Sequence, residues 1–157
     1  MTFEITSMEI IPAKTDPWLV SCDAFAIYRQ CMYKPTFEEY LNEVASFRAD
    51  PAKHIFICRV SDRYAGIIVL ETASDNTAEI VGIAVAEDCQ RRGIGSFMVR
   101  SAAQVLKVEA VTAETDSEAV GFYEHTCFAV KSFVRHFPDG DVTRCQCVLD
   151  IKQSVRH

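Results

Sequence analysis

The sequence predicts a mixed α/β fold (α+β type), in which helices pack on one sheet in the order β-α-α-β-β-β-α-β-α-β-β. Two observations carry this prediction. Three β-rich segments follow one another between residues 54 and 85, and apolar residues recur at helical spacing on either side of them. The 157 residues, 49% of them apolar, suffice for one sizeable core and predict a single domain over 1–157.

The N-terminal part predicts a strand followed by a helix. The strand covers residues 3–11, and Pro12 and Pro17 come after it as breaks. Apolar residues at helical spacing then predict an amphipathic helix over residues 18–32.

Capping residues predict the start of a second helix. Thr36 is a good N-cap, and Glu39 three residues later completes a capping box. The helix should stop before Pro51. Its predicted apolar face comprises Phe37, Tyr40, Leu41, Val44 and Phe47.

The middle of the chain predicts a meander of three strands and then a helix. The strands cover residues 55–60, 64–72 and 78–85, with turn residues between them. The helix covers residues 96–106 and is amphipathic.

The C-terminal part predicts a strand, a short helix and a β-hairpin. A strand over residues 108–115 leads to Asp116, which caps a short helix running to about residue 125. Strands over 130–136 and 142–151 then pair across a Pro-Asp-Gly-Asp turn.

Charge is distributed unevenly along the chain. The formal net charge of −6 disfavours general binding to nucleic acids or to anionic membranes. Residues 90–107 nevertheless hold four basic residues and no Asp or Glu. This basic segment is therefore the predicted binding site for an anionic ligand.

The cysteines favour a reducing compartment. There are seven, at irregular spacing, and no second pair accompanies Cys145 and Cys147, so neither a disulfide framework nor a zinc site is predicted. The N-terminus lacks the basic start and apolar run of a secretory signal, and no apolar run approaches the roughly 20 residues of a membrane helix. We expect a cytoplasmic protein without a metal or a membrane partner.

The densest chemical feature is the loop 90–96, Gln-Arg-Arg-Gly-Ile-Gly-Ser, between a predicted strand and a predicted helix. Glycines allow close backbone approach, and free N–H groups at a helix start form an anion site that Arg91 and Arg92 would strengthen. No Lys follows Gly95, and Met98 stands where a dinucleotide fingerprint has its third glycine, so both common nucleotide motifs fail. A tight basic turn that binds nothing is the alternative.

Residues 79–85, Glu-Ile-Val-Gly-Ile-Ala-Val, followed by the loop 90–95, resemble motif A of the GNAT superfamily of acetyl-CoA-dependent N-acetyltransferases. The loop follows the family pattern Gln/Arg-x-x-Gly-x-Gly/Ala. Residues 116–128, with Phe122-Tyr123, look like the family segment Asn-…-Ala-…-Phe-Tyr-…-Gly-Phe. The element order matches over nearly the whole chain, and the resemblance implies a mostly antiparallel central sheet that splays at the cofactor site.

The resemblance implies acetyl-CoA as the cofactor, held largely by backbone groups. The amides of Ile83 and Val85 would contact the pantetheine and thioester end, and those of the loop would cradle the pyrophosphate. Gly82 indicates a bulge or a close approach by pantetheine, or else an accommodation to packing. The implied cofactor-binding set is Ile83, Ala84, Val85, Gln90, Arg91, Arg92, Gly93, Ile94, Gly95, Ser96, Asp116, Ala119 and Phe122.

Two positions depart from the family pattern. The family Asn is Asp116 here, which still caps and accepts a hydrogen bond but cannot donate one as an amide does. The family Gly that ends the following helix is Cys127, and the left-handed conformation usual there costs a non-glycine residue about 1 kcal/mol.

Acetyl transfer to an amine needs a base for the amine and an acid for the leaving thiolate. Tyr123 matches the family tyrosine placed near the cofactor sulfur and is the candidate acid, with a core aromatic as the alternative. Glu79 matches the glutamate of Ala-Glu-Ile-Val in histone-type lysine acetyltransferases and is the candidate base. Burial would make its carboxylate more basic, or a water would relay the proton, and the alternative is a solvent-facing side chain.

The predicted reaction is transfer of an acetyl group from acetyl-CoA to a primary amine, in a small molecule or a protein, by direct attack in a ternary complex. A non-catalytic acyl-CoA-binding module on the same fold is the alternative, and a nucleic-acid-binding protein is disfavoured. The acidic surface favours a cationic amine. The sequence leaves open which amine is the acceptor and whether the protein forms a homodimer. The aromatic residues Tyr28, Tyr33, Phe37 and Tyr40 either line the acceptor site or belong to the core.

Overall fold

The computed structural model describes Ile5 and residues 7–151. Within them, seven strands form one sheet and four α-helices pack on it, which confirms the predicted mixed α/β class. The strands are β1 Met8–Pro12, β2 Lys53–Val60, β3 Arg63–Thr72, β4 Thr77–Val85, β5 Ala110–Asp116, β6 Ala129–Phe137 and β7 Gly140–Asp150. The helices are α1 Cys22–Tyr28, α2 Phe37–Ala49, α3 Ile94–Leu106 and α4 Val120–His125.

The sheet opens between β4 and β5. The spatial order is β1-β2-β3-β4-β5-β7-β6, and every neighbouring pair is antiparallel except β4 with β5. These two strands are joined through α3, the crossover that a parallel pair requires. Their ladder has only three residue pairs, the last of which is Glu79 with Thr112. Beyond it the strands separate, so the expected splay of the sheet is confirmed.

The helix predicted over residues 18–32 is wrong as one continuous element. The structure has a 3-10 turn Pro17–Val20, then α1, then a second 3-10 turn Arg29–Cys31. Ser21 has extended backbone and its side chain accepts the N–H of Ala24 at 3.1 Å. A residue that caps a new helix cannot continue the old one, so the chain bends at Ser21.

Helix α2 begins and ends as predicted. The Thr36 hydroxyl accepts the N–H of Glu39 at 3.1 Å, which confirms the N-cap. Of the predicted apolar face, Tyr40, Val44 and Phe47 are buried, while Phe37 and Leu41 are partly buried against the core.

The two faces of the sheet carry different helices. Gly66 of β3 faces α3 so closely that a Cβ built on it would lie 2.8 Å from the Met98 sulfur. The next residue, Ile67, points to the opposite face and shares a small internal space with Tyr28, Tyr40 and Phe47. Helices α1 and α2 therefore cover one face of the sheet and α3 covers the other.

The remaining boundaries differ little from prediction. Of the predicted first strand, Phe3, Glu4 and Thr6 lie outside the described residues, and β1 begins at Met8. Strand β5 begins at Ala110 rather than at residue 108, and β7 ends at Asp150. In the described part of the chain, no helix is long and apolar enough to cross a bilayer.

Candidate active site

A β-bulge distorts β4 where it leaves β5. Val69 of β3 pairs with Gly82, but the next residue, Leu70, pairs with Ile80, so Val81 is the extra residue. A bulge bends its strand and re-aims the residues after it. A Cβ built on Gly82 would also lie 2.1 Å from the Tyr28 hydroxyl oxygen. The predicted bulge and the predicted accommodation to packing are therefore both present, since the strand is bulged at Val81 and Gly82 leaves room for the Tyr28 side chain.

The backbone after the bulge faces the opening in the sheet. The N–H of Ala86 donates to the Ala65 carbonyl of β3 at 2.7 Å. Backbone groups of successive strand residues point alternately to the two sides, so Ala84 also faces β3. Ile83 and Val85 therefore direct their backbone groups away from β3, towards the space that β5 has left. This is the orientation that the family resemblance implies for these two amides.

The turn Arg29–Cys31 runs along this open edge of β4. Gln30 Nε2 donates to the Val85 carbonyl at 2.9 Å, and Gln90 Nε2 donates to the same carbonyl at 3.1 Å. Gln90 Nε2 also donates to Gln30 Oε1 at 2.7 Å. The Gln90 side chain, predicted to bind the cofactor, thus ties the glycine loop to β4 and to the turn.

The glycine loop has the backbone of an anion-binding concavity. Arg91 has φ +64° and Gly93 has φ +78°, both left-handed, and a Cβ on Gly93 would meet no atom within 4 Å. Gly93 is the N-cap of α3 and offers no side chain to its first turn. The N–H groups of that turn are therefore directed to the loop surface, where the helix dipole favours an anion. Arg91 is exposed beside them and Arg92 is half-buried.

Gly95 is required by the packing of α3 against α4. A Cβ built on Gly95 would lie 2.6 Å from the Phe122 ring. Phe122 is partly buried against the core, as is expected of a side chain that holds two helices together. Ile94 is buried and Ser96 is half-buried, so their contribution to a ligand would come from the backbone.

Asp116 ends β5 and organises the entry to α4. Its carboxylate accepts the N–H of Glu118 at 3.0 Å and that of Ala119 at 2.7 Å. The predicted capping role is confirmed, although it serves the turn before the helix, and α4 begins only at Val120. Cys127 has φ +69°, the left-handed conformation in which the family has glycine.

Tyr123 is buried, and its hydroxyl has no hydrogen-bond partner among the described residues. Its ring packs edge-on against Phe122 and Phe128, with centroid separations of 5.1 and 5.2 Å, and the residue is 9% exposed. The hydroxyl makes no hydrogen bond to any residue that the structure describes. Burial, with smaller contributions from the neighbouring thiols of Cys147 and Cys31, raises the pKa of Tyr123 to about 12. The phenol is therefore a proton donor throughout the neutral range.

Cys31 lies in the opening, although no sequence pattern distinguishes it. Its thiol donates to the Tyr28 carbonyl at 3.3 Å, and the backbone N–H of Ile83 also interacts with its sulfur. The residue is exposed, yet the surrounding protein desolvates the thiol and raises its pKa to about 11. This combination fits a side chain in an open cleft. Cys31 thus interacts with the Ile83 amide and also acts on the Tyr123 hydroxyl.

Glu79 is not buried, contrary to expectation. It is exposed on β4, opposite Glu71 of β3, at the last residue pair before the strands separate. The solvent-facing side chain, the alternative that the sequence left open, is the one that the structure has.

A second carboxylate, which the sequence analysis missed, belongs to Glu43 of α2. It is half-buried, and burial together with the neighbouring Glu39 raises its pKa. Its charge in turn acts on Tyr28 and Cys31. Helical spacing from Tyr40 was the signal that could have found it.

The four aromatic residues considered for an acceptor wall divide into two groups. Tyr28 and Tyr40 are buried and stack with Phe37 into an aromatic cluster of the core. Tyr33 is 88% exposed, beyond that cluster. The described residues contain no group of three His, Cys, Asp or Glu side chains that could hold a metal ion.

Comparison with known proteins gives consistent matches. The sequence model of the Acetyltransferase (GNAT) family matches residues 22–127, more than half of the chain. The uncharacterized N-acetyltransferase YvbK of Bacillus subtilis (strain 168) is 28% identical over 112 residues, which are 58% of this chain and 72% of YvbK.

Solved structures show the same fold. A spermidine N-acetyltransferase SpeG chimera from Vibrio cholerae and hSSAT superposes with a TM-score of 0.74 at 14% identity, covering 97% of this chain and 100% of that one. A Bacillus subtilis acetyltransferase in complex with CoA superposes with a TM-score of 0.66 at 18% identity, covering 92% and 99%.

Proposed function

Because the chain belongs to the acetyltransferase (GNAT) family, we propose that it transfers the acetyl group of acetyl-CoA to a primary amine by direct attack within a ternary complex. The family makes it an acetyl-CoA-dependent acyltransferase, and the amine acceptor is the part we infer. One observation carries the proposal. The open edge of β4 leads to a loop whose backbone suits an anion, and Cys31, which interacts with the Ile83 N–H on that edge, also acts on the Tyr123 hydroxyl.

The residues of this cleft fit acetyl-CoA. The first turn of α3 and Arg91 offer N–H donors and positive charge to a pyrophosphate. Ile83 and Val85 lack a strand partner on the β5 side, so their N–H groups suit the carbonyl oxygens of pantetheine, whereas the Val85 carbonyl already accepts from Gln30 and Gln90. Asp116, Ala119 and Phe122 would flank the cofactor from the α4 side. When bound, acetyl-CoA supplies an activated thioester carbonyl.

Tyr123 would act as the general acid. As the amine nitrogen forms its bond to the carbonyl carbon and the bond from carbon to sulfur breaks, the Tyr123 hydroxyl gives its proton to the sulfur. Burial keeps this phenol protonated at neutral pH. The Ile83 N–H, which interacts with the Cys31 sulfur in the structure, would exchange that contact for one to the carbonyl oxygen as charge develops on the oxygen.

Glu79 would receive the proton that the amine loses. Because Glu79 is exposed and lies at the closed end of the splay, we propose that the proton reaches it through water. A general base can take the proton through one water, provided that it lies within hydrogen-bond reach of that water.

Two measurements on the purified protein test the proposal. Release of free CoA from acetyl-CoA should depend on an added amine, and acetyl-CoA should raise the melting temperature much more than ATP or NAD, since a ligand that binds the native state stabilises it. Stabilisation by acetyl-CoA without CoA release for any primary amine would instead favour a non-catalytic acyl-CoA-binding module. Equal stabilisation by all three nucleotides would contradict the cofactor assignment.

A further inference from the structure

The side chain of Gln30 makes three hydrogen bonds that join three parts of the cleft. Its Nε2 donates to the Val85 carbonyl on the open edge of β4 at 2.9 Å and to the Ile27 carbonyl of α1 at 3.0 Å. Its Oε1 accepts a hydrogen bond from Gln90 Nε2, at the start of the glycine loop, at 2.7 Å. Carbonyl oxygens can only accept, so the amide nitrogen must face them and the amide oxygen must face Gln90.

Gln90 closes this arrangement into a triangle. Its Nε2 donates both to Gln30 Oε1 and, at 3.1 Å, to the Val85 carbonyl. Each side-chain amide therefore uses both of its N–H donors, and the Val85 oxygen accepts from both amides with its two lone pairs. We call Gln30, Gln90 and the Val85 carbonyl the amide triangle. Hydrogen bonds that share partners support one another, so removal of one member should weaken the others.

The amide triangle is anchored to the core through α1. Tyr28, two residues before Gln30, is 4% exposed, and its hydroxyl occupies the space where a side chain at Gly82 of β4 would begin. Its ring packs on Tyr40 of α2 with a centroid separation of 5.9 Å. Because the Gln30 amide is bonded to the Ile27 carbonyl of the same helix, it is held at a fixed place beside β4.

The glycine loop, by contrast, is exposed where the amide triangle holds it. The buried residues on either side of its tip are Cys89 and Ile94, which are 0% and 1% exposed. Between them, Gln90, Arg91 and Gly93 are exposed. Exposed backbone has fewer packed neighbours than buried backbone and opens more easily, so side-chain hydrogen bonds to β4 matter for the position of this tip.

Under the proposed function, acetyl-CoA binds both parts that the amide triangle joins. Its pyrophosphate would lie on the glycine loop, and its pantetheine would run along the N–H groups of Ile83 and Val85. A ligand with two linked halves binds tightly only when its two subsites are held at the separation that the link spans. That separation depends on how the loop is placed against β4.

We propose that Gln30 is a positioning residue for the acetyl donor. Through Gln90 and the Val85 carbonyl, it fixes the separation between the pyrophosphate subsite on the loop and the pantetheine subsite on β4. The inference rests on the proposed acetyl transfer and adds a residue that acts on the donor through Gln90. Gln30 raises the affinity for the intact donor and takes no part in the chemical step.

Calorimetric titration of the purified protein with acetyl-CoA measures the donor Kd without an acceptor amine. The variants are Gln30→Met, Gln90→Met and the double variant, since methionine keeps the length of glutamine and removes its amide. The matched control is Gln104→Met, at an exposed glutamine of α3 whose side chain makes no hydrogen bond with a described residue.

Two further measurements separate positioning from a general structural role. Competition against acetyl-CoA by 3′-phospho-ADP, which has the pyrophosphate and lacks pantetheine, measures the loop subsite on its own. Thermal unfolding of each protein without ligand shows whether it is folded and how stable it is.

Gln30→Met should weaken acetyl-CoA binding about tenfold, the ratio that about 1.4 kcal/mol produces, and should change the Kd of 3′-phospho-ADP by less than about twofold. Gln90→Met should also weaken acetyl-CoA binding, and the double variant should bind no more weakly than the weaker single variant, because the two side chains act as one unit. Gln104→Met should bind like the wild type. Since Gln30 is exposed, its loss should lower the melting temperature by no more than about 4 °C.

Unchanged acetyl-CoA affinity in Gln30→Met, or an equal loss in Gln104→Met, would overturn the inference. Additive losses in the double variant would do so too, because the two glutamines would then act independently. An equal loss of affinity for 3′-phospho-ADP, or no binding of it by the wild type, would also rule out a role in spacing two subsites.

These failures differ from a failure of the proposed function. If the wild type binds acetyl-CoA and releases CoA with an amine, acetyl transfer stands and only the role of Gln30 falls. If the wild type does not bind acetyl-CoA, the proposed function itself falls.

Discussion

The Tyr28 hydroxyl occupies the place where a side chain at Gly82 would begin, 2.1 Å from the Cβ position. This contact joins α1 to the bulged part of β4, next to the backbone edge proposed to bind pantetheine. The absence of a side chain at residue 82 thus lets α1 pack against β4.

Gly82→Ala should destabilise the protein and weaken acetyl-CoA binding, because Tyr28 must move away from β4. Overpacking of this kind costs about 1–3 kcal/mol, and each kcal/mol lowers the melting temperature of a chain of this size by about 2–4 °C. Thermal unfolding checks the prediction. Adding Tyr28→Phe, which removes the nearest atom, should restore part of the loss, and a Gly82→Ala protein as stable as the wild type would contradict the contact.

Gly93→Asp should abolish stabilisation by acetyl-CoA, because it places a carboxylate on the loop where we propose that the pyrophosphate binds. The matched control is Gly93→Asn, which has the same shape and tolerates the left-handed backbone equally well. Since no atom lies within 4 Å of the Cβ position, neither residue should clash. Thermal shift with acetyl-CoA is the measurement, and equal shifts in the two variants would argue against an anion site.

Tyr123→Phe should lower kcat by more than tenfold, within the range of about 10²–10⁴ typical of a lost general acid. Packing against Phe122 and Phe128 is kept, so stabilisation by acetyl-CoA should survive. Because burial raises the pKa of this phenol to about 12, the wild-type kcat should not fall as the pH passes the ordinary tyrosine pKa of about 10. A variant with unchanged kcat at saturating substrate would make Tyr123 a core residue only.

Glu79→Gln should reduce kcat/KM most near neutral pH, and kcat/KM should recover partly at high pH. The recovery is expected because a lysine-like amine, with a pKa of about 10, loses its proton unaided there. The pH profile of kcat/KM in both proteins is the comparison. A uniform loss at every pH would indicate that Glu79 positions a cationic acceptor by charge. A profile that overlays the wild type would leave it without a role in the reaction.

Cys127→Gly should stabilise the protein. Relief of the left-handed backbone at this position is worth about 1 kcal/mol, or a rise of about 2–4 °C in melting temperature. The Cys127 side chain is exposed, so its removal leaves no cavity. Cys127→Ala is the control, because it removes the thiol and keeps the strain. A gain in Cys127→Ala equal to that in Cys127→Gly would refute the explanation by strain.

Local signals explain how much of the fold could be predicted from the sequence. The capping hydroxyl of Thr36, the strands around the turns of the meander and the glycines of the loop act on residues close to them in the chain, so their pattern is readable without a structure. The same applies to Cys127, whose left-handed backbone follows from the end of a short helix. Ser21 shows the limit, since apolar periodicity continued through a residue that starts a new helix.

The sequence by itself determined the order of the elements, the strand-loop-helix arrangement around Gly93 and the presence of Tyr123 after β5. Only the tertiary structure decided which side chains meet in the cleft. Gln90 is engaged by Gln30, 60 residues away in the chain, and Tyr28 of α1 packs on Tyr40 of α2. Glu79, by contrast, is left exposed where β4 and β5 begin to separate. Periodicity reports which face of an element is apolar, whereas the partner of that face depends on long-range packing, which no local pattern encodes.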